Sequence, residues 1–164
     1  MSKTQKNLQD AFAGESQANR KYLAFARQAE KEGFPQVAKL FRAAAEAETV
    51  HAHTHLKNMG EIKTTKENLE TSIAGETHEF KHMYPQMIKD AEEEGHNAVK
   101  RSFQFANDVE EVHANLYKKA MEKMESLEEA DYYICSVCGY TVENHAPDKC
   151  PVCNAAKKAF YKAE

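Results

Sequence analysis

Residues 37–51, VAKLFRAAAEAETVH, and residues 99–113, VKRSFQFANDVEEVH, decide the fold. In each an apolar row steps by four and three: Val37, Phe41 and Ala44 in one, Val99, Phe103 and Ala106 in the other. That spacing lays one face of an amphipathic helix toward a core. Each row then runs into a carboxylate and an imidazole, Glu48 and His51 in the first, Glu110 and His113 in the second. Burying acids on an apolar stripe is unfavourable unless cations neutralise them or they take up protons. The interruption therefore points to a site.

The doubling extends outward from these stretches. Ala13-Gly14-Glu15-Ser16 returns as Ala74-Gly75-Glu76-Thr77, and Ala29-Glu30-Lys31-Glu32-Gly33 returns as Ala91-Glu92-Glu93-Glu94-Gly95, at an offset of 61 to 62 residues. Two helix pairs that repeat one another place their polar residues at equivalent points. Thr4 is expected to cap a first helix running to Gly33, and Pro35 to open a second that stops near Gly60. Thr64 and Glu67 have capping-box spacing for a third, ending near Gly95, and a fourth runs from about Asn97 to about Ser126. Four helices joined by short turns predict an all-α four-helix bundle.

Residues three apart on a helix share a face, so each Glu-x-x-His offers an oxygen and a nitrogen to one interior point. Glu15 and Glu76 come from the other two helices. Carboxylate and imidazole ligands of this kind, two Glu-x-x-His plus a glutamate from each remaining helix, form the di-iron or di-manganese arrangement. With 26 acidic residues one Glu-x-x-His could arise by chance, but two at duplicated positions could hardly do so. Glu79 breaks the symmetry, because Ala18 stands at its counterpart. The two metals should therefore behave differently. His55 follows His51 by four but has Tyr117 as its duplicate, and His53, His78, His82, His96 and His145 have no duplicated partner, so all six are left outside the site. Tyr22 lies seven residues after Glu15, where its hydroxyl could support a ligand carboxylate. Pro85 removes the hydrogen bond to the carbonyl of Lys81 and predicts a local kink near Glu79, giving that carboxylate room to move.

Composition limits the alternatives. A chain of 164 residues with 41% hydrophobic content suits one medium domain with a small appendage. A net charge of −4 with interspersed signs argues against nucleic acid as a partner. The polar start MSKTQKNLQD and the lack of any apolar run near about 20 residues lead to the expectation of no signal peptide, no membrane anchor and a cytoplasmic location.

All four cysteines fall late, as Cys135-x-x-Cys138 and Cys150-x-x-Cys153, and bring four thiolates to one tetrahedral metal. Spacing alone leaves a structural zinc ribbon and a one-iron electron-transfer site equally open. With about 34 residues and few large apolar side chains, this tail should need its metal to fold. Glu125 to Asp131 reads as the linker, with domains at 1–128 and 132–164.

The knuckle residues Cys138-Gly139-Tyr140 and Cys150-Pro151-Val152-Cys153 resemble rubredoxin, which favours iron over zinc as the resident metal, zinc remaining a substitute. Asn154 stands where rubredoxins usually carry glycine, and asparagine tolerates the left-handed backbone best after glycine. A ferritin-like di-iron bundle followed by a rubredoxin-like tail resembles the rubrerythrin family along essentially the whole chain. The resemblance implies di-iron ligands at Glu15, Glu48, His51, Glu76, Glu79, Glu110 and His113, supporting hydroxyls at Tyr22 and Tyr84, and one iron at Cys135, Cys138, Cys150 and Cys153. It implies exchange of His51 for Glu79 on one iron as oxidation state changes. It also implies reduction of hydrogen peroxide to water, with electrons from an NAD(P)H-linked rubredoxin reductase or rubredoxin. Iron storage by a ferritin-like bundle and a zinc-ribbon interaction protein are the rival readings; the first leaves the tetrathiolate idle and the second leaves the carboxylate core unexplained.

Chain geometry bears on assembly. Helices two and three run parallel in ferritin-like bundles, yet only about eight residues, reaching roughly 26 Å, join Asn58 to Lys66. That crossover would be taut. A homodimer exchanging helix pairs relieves it and is the expectation, with the tail's metal set beside the di-iron centre of a neighbouring subunit.

Overall fold

The computed structural model describes residues 2–163. The chain divides into two compact units, one ending at Lys63 and the other beginning at Thr64.

The first unit is a helical hairpin, α1 (Lys3–Lys31) and α2 (Pro35–Asn58). The cap of α1 is Ser2, not Thr4: Ser2 Oγ accepts from the Gln5 amide at 3.2 Å while Gln5 Oε1 accepts from the Ser2 amide at 2.8 Å. This reciprocal box satisfies two otherwise orphaned amides and carries the helix start two residues further back. The turn after α1 passes through Gly33 at φ +83°, a left-handed position that glycine adopts without strain. Ala38, Ala45 and Ala52, seven apart, are the buried residues of α2, and their small side chains let it lie close to α1. The row Val37, Phe41, Ala44, Glu48, His51 lies beside this seam and is half-buried to exposed. Asn19 is the one buried polar residue among those described, and its amide donates to Ala45 O at 2.7 Å and Thr49 Oγ1 at 2.8 Å, tying α1 to α2.

The second unit contains α3 (Thr65–His78), a π-helical turn (Glu79–Met83), α4 (Tyr84–Glu93), α5 (Asn97–Glu122) and the cysteine-bearing tail. The Thr64 and Glu67 capping box forms as expected. In place of a simple kink at Pro85, the chain widens into the π turn just before it, and the Tyr84 amide reaches back five residues to Glu79 O. α5 ends at Glu122, short of Ser126, in a run of turns. The tail holds β1 (Tyr132–Cys135), β2 (Thr141–Glu143) and β3 (Phe160–Lys162) in the antiparallel order β2-β1-β3. Its core is small: buried Cys135 and Cys150, with Tyr140 and Phe160 edge to face at 6.4 Å. Among the described residues no helix is long and apolar enough to cross a membrane.

Candidate metal centres

Each unit gathers one carboxylate–imidazole cluster. In the first unit, α1 supplies Glu15 and α2 supplies Glu48 and His51. His51 Nδ1 lies 2.8 Å from Glu48 Oε2 and 4.0 Å from Glu15 Oε1. In the second, α3 supplies Glu76 and α5 supplies Glu110 and His113, with His113 Nδ1 2.8 Å from Glu110 Oε2 and 3.7 Å from Glu76 Oε1. The helical spacing of three does the work in both, since it stacks glutamate and histidine on one face. Six of the seven expected ligands are thus grouped, three and three. Glu79 stands outside the tight group, yet its carboxyl feels the charges of Glu110 and His113.

The electrostatics of the second cluster call for a cation. Burial first, and then the negative charge of Glu110, pushes the Glu76 carboxyl up to about 7. Burial and Glu110 likewise raise Glu79, and burial with Glu110, Glu79 and Glu76 raises the Tyr84 hydroxyl. The hydrogen bond to Glu110 raises His113 against the opposing effect of burial. Acids crowded this way hold protons until a metal replaces them.

The two halves match further than the ligands. Tyr22 packs on Phe41 at 6.2 Å, and Tyr84, its equivalent 62 residues on, packs on Phe103 at 6.1 Å. Among the described residues neither tyrosine hydroxyl makes a hydrogen bond. Glu15 pairs with Glu76 at an offset of 61, however, whereas Tyr22 pairs with Tyr84 at 62, so one extra residue enters the second half between Glu76 and Tyr84. The π turn at Glu79–Met83 lies there and absorbs it, and Glu79, which has no matching acid in the first half, is its first residue. His55 is half-buried and outside both clusters, while His78 and His82 stack on each other at 5.6 Å.

In the tail the four sulfurs converge. Cys135 Sγ and Cys153 Sγ are 3.6 Å apart, and Cys138 Sγ and Cys150 Sγ 3.5 Å. A tetrahedral metal with bonds of about 2.3 Å to sulfur sets sulfur edges of about 3.8 Å, so these separations fit a shared ion and are far too long for disulfides. Two turns build the cage: the Gly139 amide donates to Cys135 O at 2.8 Å, and the Asn154 amide donates to Cys150 O at 2.9 Å. Gly139 and Asn154 both take left-handed φ, +85° and +61°, so asparagine fills the position that glycine takes in the first turn. Burial opposes the Cys135 thiolate, but amide donors at Val137 and Cys138 outweigh it and lower that thiol, whereas burial raises Cys138 and Cys153. Four thiolates cannot coexist there without a cation.

The tail rests on α5 of its own chain. Thr141 Oγ1 stands 3.0 Å from His113 Nε2 and donates to Gly139 O at 3.0 Å. A Cβ at Gly139 would lie 3.7 Å from Val109 Cγ1, and Lys119 of α5 pairs with Glu143 of β2. The part of Thr141 was not readable from spacing, since a hydroxyl 28 residues from its partner carries no local signal.

Fold and donor sets together define a class: an iron protein with a ferritin-like helical part, a di-iron site of glutamates and histidines, and a rubredoxin-like tetracysteine site. The rubrerythrin family model matches residues 6–121, and the rubredoxin-like domain of rubrerythrin matches residues 133–161. The chain belongs to the rubrerythrin family. It is 35% identical to the rubrerythrin of Nitratidesulfovibrio vulgaris, over 97% of this chain and 93% of that one, and 33% identical to nigerythrin of the same organism, over 96% and 85%. A solved structure of nigerythrin in its fully reduced, all-ferrous state aligns over 99% of this chain and 88% of that one, with a TM-score of 0.60 and 32% identity. The family places the chain among di-iron oxidoreductases of peroxide and oxidative-stress defence.

Proposed function

We propose that the chain reduces hydrogen peroxide to two molecules of water, drawing two electrons from an NAD(P)H-linked reductase or a rubredoxin and two protons from solvent. The observation that carries this reading is the presence on one chain of paired glutamate–histidine clusters and a tetrathiolate cage. Ferrous iron held by Glu15, Glu48, His51, Glu76, Glu79, Glu110 and His113 would supply the electron pair that cleaves the O–O bond, and iron at Cys135, Cys138, Cys150 and Cys153 would pass on the replacement electrons. Glu76 and Glu110 would hold the second cluster together, while Glu79, on the widened turn, would be the carboxylate that exchanges with His51. Tyr22 and Tyr84, half-buried against Phe41 and Phe103, would supply hydroxyls to peroxide or to a ligand oxygen.

We further propose the boundaries 1–128 and 132–164 for the two domains, a homodimer in which helix pairs exchange between chains, and a cytoplasmic setting that keeps the four thiols reduced. Each unit carrying three of the ligands supports the exchange. Sedimentation of the iron-loaded chain at the mass of a dimer is expected, and a monomer with a full iron complement would contradict it. The electron route is tested by NADH-driven peroxide consumption with an added reductase. Cys135→Ser should abolish turnover while leaving the helical irons in place; undiminished turnover in that variant would overturn the route.

A further inference from the structure

We propose that Thr141 makes the tail a positioning arm for His113, so that filling the tetrathiolate cage strengthens metal capture at the Glu76–Glu110–His113 cluster. The inference rests on the reading of that cluster as metal ligands. Thr141 has one proton to give, and it goes to Gly139 O at 3.0 Å. Its oxygen therefore faces His113 Nε2, 3.0 Å away, as an acceptor, and the proton of that contact must come from the imidazole. A histidine protonated at Nε2 keeps the Nδ1 lone pair for a metal, and Nδ1 is the atom that faces Glu110 and Glu76. Thr141, beside the Gly139 backbone that the same ring also reaches, thus favours the tautomer that the site needs and holds the ring plane.

His51 shows what the cluster lacks without such an arm. Its Nδ1 faces Glu48 in the same way, but among the described residues its Nε2 has no partner, and its side chain is 56% exposed against 27% for His113. The duplication gives both halves the same Glu-x-x-His, and only the second is tied to the tail. Because so small a tail folds around its metal, an empty cage withdraws Thr141 from His113. Loading of the thiolate site then favours loading of the helical site, and the histidine left untethered is the one on the first cluster.

Anaerobic cobalt(II) titration of the full metal-free chain tests this, because thiolate-bound and carboxylate–imidazole-bound cobalt absorb differently. Thr141→Val and the pair Cys135→Ser/Cys150→Ser should each weaken cobalt binding at the helical site on the order of tenfold. Thr141→Ser should restore it, and combining Thr141→Val with the cysteine changes should add nothing. Nitrogen-15 shifts should report His113 protonated at Nε2 in the wild type and in Thr141→Ser but mixed in Thr141→Val, while the thiolate bands of Thr141→Val stay unchanged. Equal helical-site affinity in wild type and Thr141→Val, or additive losses in the combined variant, would overturn the coupling. A wild-type chain that takes cobalt only at its cysteines would instead remove the ligand reading, and the inference with it.

Discussion

His113 and Thr141 meet at 3.0 Å across 28 residues of sequence, joining a ligand of the helical cluster to a strand of the cysteine tail. Among the described residues His51, the duplicate of His113, has no such contact at Nε2, and Glu79 adds a second asymmetry on the same unit as His113.

Glu79→Ala gives the second half the alanine that stands at Ala18 in the first. Iron content should stay at the wild-type level, because the three-residue cluster of each unit is intact, while peroxide turnover should fall by at least about tenfold. Parallel measurement of iron per chain and steady-state peroxide consumption checks this. Turnover at the wild-type rate would remove Glu79 from the chemistry.

The metal-free protein should lose stability as pH rises, opposite to the usual carboxylate. Glu76 is raised from 4.5 to about 7 in the folded chain, so folding favours its protonated form, and the penalty for ionising it grows between those values. His113, raised by Glu110, adds to the same trend, because the stability of its charged form is lost as pH rises through its folded pKa. Denaturation midpoints of the metal-free chain should be higher at pH 5 than at pH 8, with the difference reduced in Glu76→Gln. Metal loading should release protons when carried out below about pH 7.

Asn19 bridges α1 and α2 through Ala45 O and the Thr49 hydroxyl while only 7% exposed. Asn19→Ala leaves the Ala45 carbonyl without this donor and should cost about 1–3 kcal/mol, read as a lower unfolding midpoint in urea. A shift within experimental error would mean that water replaces the amide.

Asn154 sits at φ +61° in the second cysteine turn. Asn154→Gly should be tolerated, whereas Asn154→Ala should destabilise the tail by about 1–2 kcal/mol and speed loss of its metal to a chelator. Equal rates for the two variants would mean that the left-handed position carries no strain.

Much of this molecule can be read from residue spacing. The duplicated Glu-x-x-His pairs, the Thr64–Glu67 box, the glycine stops at Gly33, Gly60 and Gly95, and the paired cysteines are periodic or local, and each acts where it stands. Pro85 was legible as a disturbance but not in its form. A proline shows that a hydrogen bond is missing, whereas the π turn follows from one added residue, visible only when Glu15–Glu76 and Tyr22–Tyr84 are seen to differ in offset by one. Thr4 lost the cap to Ser2 because Gln5 lies three residues after Ser2 and completes the reciprocal box. The seating of Thr141 on His113 is a tertiary contact between two elements, and no periodicity announces it.

Peroxide reduction at the helical irons can be followed by reducing the three-iron protein anaerobically, adding one equivalent of hydrogen peroxide per di-iron centre, and monitoring both sites by stopped-flow absorbance. Rapid oxidation of the helical irons is expected, with the ferric thiolate bands appearing afterwards as the tail passes its electron on. Helical irons that stay ferrous after the peroxide pulse would contradict it.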